Sequence, residues 1–326
     1  IKDALKITEE PWTTLIKEAK KKNIKIYPSI LSYPQTSKDK NLVWLLLAQK
    51  KRRDDHIKDI VALVKKHNFD GIDIDYEAKM AKTKPYFSLL IEGLAIRLHP
   101  KRKILSCTIE ARTPLSSLLE NPPESVDRAN DYAVLNQYCD EVRIMTYDQG
   151  LIDIKLNAAR AVGALYAPVA DSDWITKVLD ETLKTINPRK VMLGIPTYGY
   201  EYQVSWYHGV TSYERLRSHT YTQALERASA VGALPLRNKA GELEFTYTAP
   251  SWVNGVSPGR ISSASSSMPD AIATTSFAGP ITRYVTYNDA ESATQKIDIA
   301  KRYGLRGVVF FKLDGEHDPR LWEIIK

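Results

Sequence analysis

Apolar and polar positions along the chain follow two alternating patterns. Apolar residues three and four positions apart, such as Trp12, Leu15 and Ala19, predict amphipathic helices, and short apolar runs between them predict strands. The predicted helices cover residues 8–22, 41–67 (with a break near residue 51), 86–98, 128–138 and 173–185. The predicted strands cover residues 24–31, 69–76, 103–109, 141–147 and 191–198. This alternation is typical of parallel strands joined by crossover helices, in a doubly wound sheet or a (β/α)8 barrel.

The alternation stops after residue 200 and resumes near the end of the chain. Between these points we predict a helix, two hairpin-like segments and a long serine-rich surface loop, at residues 213–231, 233–237, 243–248 and 251–280. A strand, a helix, a second strand and a closing helix follow, at residues 282–287, 290–303, 307–313 and near Leu321. We therefore predict three regions, namely a barrel at residues 1–199, an α+β insertion at 200–285 and the last helix–strand unit at 286–326.

Composition narrows the class of protein. The 326 residues are 43% apolar and 26% charged, which is typical of a globular chain and excludes a wholly disordered one. The net charge is +7, from 46 basic and 39 acidic residues. The basic runs at residues 20–22 and 50–53 lack interleaved aromatics, so we interpret them as solvated helix faces and predict no nucleic-acid partner. Apolar runs are too short for a membrane-spanning helix.

Cysteine usage and the first residue leave two points open. Cys107 and Cys139 are too few for a disulfide scaffold, and one bridge or two buried thiols would both fit. Neither has a local context that marks a nucleophile. The sequence begins with Ile1 and not with Met, so we expect a processed or partial chain.

Residues 70–77, with the sequence DGIDIDYE, carry the candidate chemistry. On a strand, Asp73, Asp75 and Glu77 share one face, and the isoleucines between them point the other way. Neighbouring carboxylates raise each other's pKa, which favours a general acid at neutral pH. Glu77 would lie at the carboxyl end of its strand, where barrel enzymes have their active sites.

Two other interpretations of this segment are weaker. A calcium loop of the EF-hand kind needs glycine at its sixth position, whereas Gly71 is second. A solvated edge strand fits poorly with the alternating isoleucines. Another polar cluster, residues 314–318, is crowded into one segment, so we interpret it as an ordinary loop and predict no metal site.

The same eight residues resemble the signature of glycoside hydrolase family 18, the chitinase-like barrels, with all five fixed positions of Asp-Gly-x-Asp-x-Asp-x-Glu present. Residues 145–148 resemble the family's Met-x-Tyr-Asp motif, and residues 194–200 resemble its seventh strand. Residues 167–174 and 303–308 resemble the bacterial branch of spore-cortex and cell-wall N-acetylglucosaminidases. The resemblance implies a (β/α)8 TIM barrel with an α+β insertion between strands seven and eight.

The resemblance also implies roles for the motif residues. Glu77 would protonate the glycosidic oxygen and later activate water, and the nucleophile would be the substrate's own 2-acetamido oxygen. Asp75 would orient the acetamido group and stabilise the oxazolinium ion, and Asp73 would hold Asp75. Tyr147 would hydrogen-bond the acetamido carbonyl.

Four further residues would shape the substrate pocket. Asp148 and Met145 belong to the same motif as Tyr147. Tyr198 would either contact sugar hydroxyls or be a buried barrel tyrosine with a satisfied hydroxyl. Phe311 stands where the family's eighth strand usually has a tryptophan, so it offers less stacking area to a sugar.

A second departure concerns the barrel. The strand at residues 24–31 corresponds to the family's third, so the first two strands have no counterpart here. We therefore expect an upstream domain or a partner to complete the barrel.

The resemblance predicts a retaining hydrolase of β-1,4-linked N-acetylglucosamine glycans, with peptidoglycan favoured slightly over chitin, no cofactor, and an extracellular or cell-wall location. One alternative is a glycan-binding, lectin-like barrel with little activity, which Phe311 and the missing strands would favour. Another is an ordinary two-carboxylate glycosidase, which would also cleave sugars without the 2-acetamido group.

Overall fold

Among the residues that the structure describes, six parallel strands form one sheet and five antiparallel strands form a second. The computed structural model describes residues 8–119, 121–123, 126–207, 210–249, 281–313 and 315–324. These ranges do not include the predicted serine-rich loop at residues 251–280. They also do not include Asp314, the first residue of the polar cluster 314–318.

The helices are α1 (Trp12–Lys21), α2 (Ser37–Ala48), α3 (Lys50–His67), α4 (Lys84–Leu98), α5 (Leu115–Leu118), α6 (Tyr132–Tyr138), α7 (Ile154–Ala161), α8 (Ser172–Thr182), α9 (Tyr221–Ala230), α10 (Ala290–Arg302) and α11 (Leu321–Ile324). The strands are β1 (Ser29–Ser32), β2 (Gly71–Tyr76), β3 (Ile104–Glu110), β4 (Glu141–Met145), β5 (Val191–Pro196), β6 (Tyr198–Tyr207), β7 (Val210–Thr220), β8 (Leu236–Arg237), β9 (Leu243–Ala249), β10 (Ile281–Tyr287) and β11 (Gly307–Phe311). Among the described residues, no helix is both long and apolar enough to cross a membrane.

The parallel sheet has the order β1-β2-β3-β4-β5-β11. Neighbours in space follow the chain without the reversal of a doubly wound sheet, so the strand order is that of a barrel. Helices α3 and α4 cover one face, where Ile72 and Ile74 of β2 are fully buried. The second sheet, with the order β7-β6-β10-β9-β8, enters the chain between β5 and β11. The predicted α/β fold with an inserted α+β segment is therefore confirmed. The exact domain boundaries stay a prediction.

Two predicted elements differ in kind from the structure. Residues 210–220 form β7, which contains the first part of the predicted helix 213–231 and pairs along its length with β6. The helix begins only at Tyr221, where Thr220 and Gln223 form a capping box. The predicted strand at 191–198 is divided between two strands in the structure. Strand β5 ends at Pro196, and the longer strand β6 begins at Tyr198. Pairing between β6 and β7 overrides local helix propensity.

The predicted break in the helix at residues 41–67 is confirmed. Gln49 has an extended backbone (φ −81°, ψ 111°) and separates α2 from α3. Helix α2 begins earlier than predicted, because Thr36, the residue before Ser37, forms a capping box with Asp39.

The two cysteines form a disulfide that joins β3 to the segment between α6 and β4. Cys107 and Cys139 have Cα atoms 6.2 Å apart, and no free cysteine remains. Of the two alternatives that the sequence left open, the structure has the bridge.

A wholly buried carboxylate connects the second sheet to the loop between α7 and α8. Glu242 accepts hydrogen bonds from the backbone N–H groups of Val169 and Ala170, at 2.9 and 2.7 Å, and from the hydroxyl of Thr286 at 2.9 Å. Burial raises the pKa of Glu242, and the positive charge of Lys296, itself buried, acts in the opposite direction. The ionised form of Glu242 therefore depends on Lys296.

We expect Lys296→Met to lower the free energy of unfolding by about 3 kcal/mol, because it leaves a buried acid without its cation. Lys301→Met, an exposed site on the same helix, is the matched control and should change the value by about 0.5 kcal/mol or less. Urea unfolding followed by circular dichroism measures both. Equal stability of the two variants would contradict the assigned role of Lys296.

Candidate active site

Strand β2 positions the three carboxylates of the motif. Gly71 begins the strand where a Cβ atom would lie 2.3 Å from the carbonyl oxygen of Ile104, so only glycine fits. At the other end, the N–H of Glu77 donates to the carbonyl of Ser32 at 2.8 Å. The carboxylates therefore lie at the carboxyl ends of the parallel strands, with Glu77 outermost.

Asp73 is anchored by both neighbouring strands. Its carboxylate accepts hydrogen bonds from the hydroxyl of Ser29 at 2.8 Å and from the hydroxyl of Thr108 at 2.9 and 3.0 Å. The side chain is only 1% exposed. Because both of its oxygens are engaged, Asp73 is a fixed charge below Asp75.

Asp75 has an unused oxygen atom. Its Oδ1 is buried and has no hydrogen-bond partner among the described residues. Burial raises the pKa of Asp75 to about 7, and the charges of Glu77, Asp73 and Glu110 act in the same direction. Asp75 can therefore exchange a proton near neutral pH and has an oxygen available for a ligand.

Glu77 is half-buried at the mouth of the site. Burial and then the charge of Glu110 raise its pKa, which the buried ammonium group of Lys79 opposes. Glu110 also accepts the N–H of Ala78 at 2.6 Å. Ala78 has a φ of 48°, in the left-handed region that non-glycine residues rarely adopt. Glu110 thus fixes the backbone directly after Glu77, and a raised pKa suits a general acid at neutral pH.

Three aromatic rings, those of Tyr147, Tyr198 and Phe311, pack together near these carboxylates. The ring of Tyr147 stacks on that of Phe311, with centroids 5.2 Å apart and an interplanar angle of 12°. Tyr198 meets both rings edge-on, at 6.3 and 6.0 Å. Phe311 remains 46% exposed. Exposed aromatic surface near carboxylates is suited to binding sugars.

The carboxylate of Asp148 links two tyrosine hydroxyls of this site. Its Oδ1 accepts the hydroxyls of Tyr198 and Tyr200, at 2.5 and 2.6 Å. The backbone of Asp148 is left-handed, with a φ of 59°. Tyr198 is buried with a satisfied hydroxyl, as one of its two predicted alternatives has it, and its ring still faces the cleft residues.

The predicted residues converge to different degrees. Burial raises the pKa of the half-buried Tyr147, and the charges of Asp75, Asp148 and Glu77 act in the same direction, so these carboxylates lie near its hydroxyl. Met145 is half-buried at the end of β4, in register with Glu110 of β3.

Sequence reasoning missed several members of this site. Glu110 ends β3 beside the motif strand. Its position at the carboxyl end of a strand could have identified it as a site residue from the sequence. Tyr200 lies two residues after Tyr198, on the same face of β6. Ser29 and Thr108 were not identifiable, because only the register of β1 and β3 brings them to Asp73.

Among the described residues, no group of three or more His, Cys, Asp or Glu side chains has the arrangement of a metal site. In the polar loop after β11, the carboxylate of Asp318 pairs with the guanidinium of Arg320.

The raised pKa of Asp75 predicts a pH-dependent stability. In the unfolded chain this carboxyl titrates near 3.8, and in the folded protein near 7. Between these values the folded state binds more protons, so the contribution of Asp75 to stability falls as the pH rises through this window. We expect Asp75→Asn to be stabilised relative to the natural protein by about 1–2 kcal/mol more at pH 8 than at pH 4, a figure discounted for partial solvent screening. Thermal unfolding at both pH values measures it, and an unchanged difference would contradict the assigned environment of Asp75.

Comparison with known proteins places this site in a family. Residues 4–316 match Glycosyl hydrolases family 18. The uncharacterized glycosylase YvbX of Bacillus subtilis is 25% identical over 318 residues, which cover 94% of this chain and 76% of YvbX.

Two solved structures share the fold. The spore cortex-lytic enzyme SleL of Bacillus megaterium has a TM-score of 0.69 at 20% identity, over 97% of this chain and 62% of that one. The C-terminal domain of a putative chitinase from Desulfitobacterium hafniense has a TM-score of 0.71 at 23% identity, over 96% of this chain and 81% of that one. This chain thus spans less than two thirds of the SleL chain. Together with the motif on β2 and the match along nearly the whole sequence, these findings show that the chain belongs to glycosyl hydrolase family 18.

Proposed function

We propose that this protein is a retaining glycoside hydrolase that cleaves β-1,4-linked N-acetylglucosamine glycans, with Glu77 as acid and base. The observation that carries the proposal is the arrangement of Asp73, Asp75 and Glu77 along one strand. Asp73 is anchored by hydrogen bonds, Asp75 has an unused oxygen, and the pKa of the outermost acid, Glu77, is raised.

The proposed reaction has two steps. Glu77 donates its proton to the glycosidic oxygen while the carbonyl oxygen of the substrate's 2-acetamido group attacks the anomeric carbon, so the glycosidic bond breaks and an oxazolinium ion forms. The Glu77 carboxylate then takes a proton from water as the water attacks the same anomeric carbon. This attack opens the oxazolinium ring and restores the acetamido group. Two displacements at one carbon retain its configuration.

The neighbouring residues would support the acetamido group. Asp75 would accept its N–H through the unused Oδ1 and stabilise the positive charge of the oxazolinium ion. Asp73 would favour a proton on Asp75, because its negative charge raises the pKa of Asp75. Tyr147, beside Asp75, would donate its hydroxyl to the acetamido oxygen, and Met145, Asp148 and Tyr198 would shape the pocket around it.

Phe311 would be the stacking surface for a sugar ring. We expect Phe311→Ala to raise KM about tenfold with kcat changed about twofold or less, because the loss of stacking weakens ground and transition states alike. Phe311→Trp should lower KM, because the indole offers a larger face. Steady-state kinetics on chitin oligosaccharides measure both. A KM that is unchanged in Phe311→Ala would show that this ring does not bind substrate.

Peptidoglycan is our preferred substrate over chitin. The support is the resemblance of residues 167–174 and 303–308 to the bacterial cell-wall branch, and the relatives include cortical fragment-lytic enzymes of Bacillus. Action on such a polymer implies an extracellular or cell-wall location. Completion of the barrel by an upstream domain or a partner also stays a proposal.

A lectin-like barrel is the second candidate. Its support is the smaller ring at Phe311 and the partial exposure of the edge strands β1 and β11. The test is incubation of the complete natural chain with chitin oligosaccharides and with purified peptidoglycan. Release of products that end in N-acetylglucosamine supports the enzyme, and the polymer that is cleaved faster is the substrate. Binding of glycan without products supports the lectin.

A further inference from the structure

A cavity of about 360 Å³ lies beside the proposed cleft. Its lining includes Lys84, Arg112, Arg128 and Asn130. The side-chain amide of Asn130 donates to Glu110 at 3.0 Å, and the other oxygen of Glu110 accepts the N–H of Ala78. Two consecutive hydrogen bonds therefore connect the cavity wall to the residue next to Glu77. The volume is in the range of small-ligand sites.

Two guanidinium groups, those of Arg112 and Arg128, line this cavity. Among the described residues, no carboxylate forms an ion pair with Arg112 or Arg128, and the Arg112 side chain donates only to the carbonyl of Asn130, at 3.0 Å. The Arg112 guanidinium also lies over the ring of Tyr132, 3.6 Å from its centroid. Burial and the nearby charge of Arg112 lower the pKa of Arg128. An anion between the two groups would relieve this repulsion.

The acidic residues that line the cavity do not neutralise it. Asp131 accepts the N–H groups of Ala133 and Val134 as the cap of α6 and lies 3.9 Å from Lys84. Asp127 is exposed at the rim. Among the lining residues that the structure describes, three cations and two carboxylates give a net charge of +1.

A second observation points to a ligand. Asn130 is only 8% exposed, and its Oδ1 has no hydrogen-bond partner among the described residues. An unsatisfied buried acceptor is unfavourable unless a donor reaches it. The cavity thus combines cationic donors with one neutral acceptor.

We propose that this cavity binds a carboxylate-bearing substituent of the glycan, beside the sugar that is cleaved. The guanidinium groups of Arg112 and Arg128 would bind the carboxylate, and Asn130 would accept an adjacent amide N–H or hydroxyl. The carboxylate could belong to an acidic side chain on the sugar or to a peptide attached to it. The inference rests on the proposed function and makes it specific, because peptidoglycan carries such groups and chitin does not.

The test measures binding in the Glu77→Gln background, where substrate is not consumed. Three tetrasaccharides are titrated by calorimetry, namely neutral chitin, peptidoglycan freed of peptides but retaining its sugar carboxylates, and peptidoglycan with its peptides. We expect the acidic ligands to bind about tenfold more tightly than chitin, and Arg128→Gln to abolish most of this preference. A preference that peptide removal leaves intact assigns the sugar carboxylate, and one that disappears with the peptide assigns the peptide.

The control is Arg189→Gln, which removes the same charge from an exposed side chain before β5, at the opposite end of the strands. It should preserve the preference. Equal affinity for neutral and acidic ligands, or an equal loss for both in Arg128→Gln, would overturn the proposal. Hydrolysis by the natural protein is measured in parallel. Hydrolysis without a preference contradicts the cavity alone, whereas a preference without hydrolysis contradicts only the proposed enzyme.

Discussion

Replacing Glu77 by glutamine is expected to lower kcat on chitin oligosaccharides by about 10³- to 10⁴-fold, with the affinity for the glycan changed about threefold or less. Glutamine has the same shape but cannot donate the proton to the leaving oxygen or remove one from water. Because Glu77 is half-buried at the mouth of the site and its N–H is held by Ser32, the substitution should leave the backbone in place.

The matched control for this prediction is Glu110→Gln. It removes the neighbouring carboxylate charge but keeps an oxygen for the N–H of Ala78. We expect it to retain at least about a tenth of the activity. Its pH–rate profile should shift to lower pH, because the charge of Glu110 raises the pKa of Glu77. If Glu77→Gln keeps as much activity as Glu110→Gln, Glu77 is not the acid.

The second large effect is expected for Asp75→Asn, with a loss of about 10²- to 10³-fold in kcat. The charge of Asp75 would stabilise the oxazolinium ion, which forms only along the reaction, so kcat should fall more than KM rises. Asp59→Asn, an exposed site on α3, is the control and should be indistinguishable from the natural protein. Steady-state kinetics on one oligosaccharide measure both variants. An equal kcat for Asp75→Asn and the natural protein would remove Asp75 from the mechanism.

The parallel part of the fold was predictable because its signals are local. The alternation of isoleucines and carboxylates along β2 identifies both the buried face and the polar face from the sequence alone. The repeated spacing of helix and strand predicts parallel strands, and the break predicted near residue 51 lies at Gln49.

The rest depends on contacts between distant segments. Residues 213–220 form a strand only because they pair with β6. No residue close to them in sequence indicates that pairing. The same holds for Glu110, whose proximity to Glu77 is set by the register of β2 and β3. The bridge between Cys107 and Cys139 likewise depends on the adjacency of β3 and β4.

The most direct test of the account compares two tetrasaccharides that have the same β-1,4 linkage and differ only at carbon 2, chitin tetraose with its acetamido groups and cellotetraose with hydroxyls. If the substrate's acetamido oxygen is the nucleophile, the natural protein should cleave chitin tetraose with a kcat/KM about 10³-fold or more above that for cellotetraose, because an attached nucleophile replaces an external one. Comparable cleavage of both would contradict substrate assistance and indicate a two-carboxylate glycosidase.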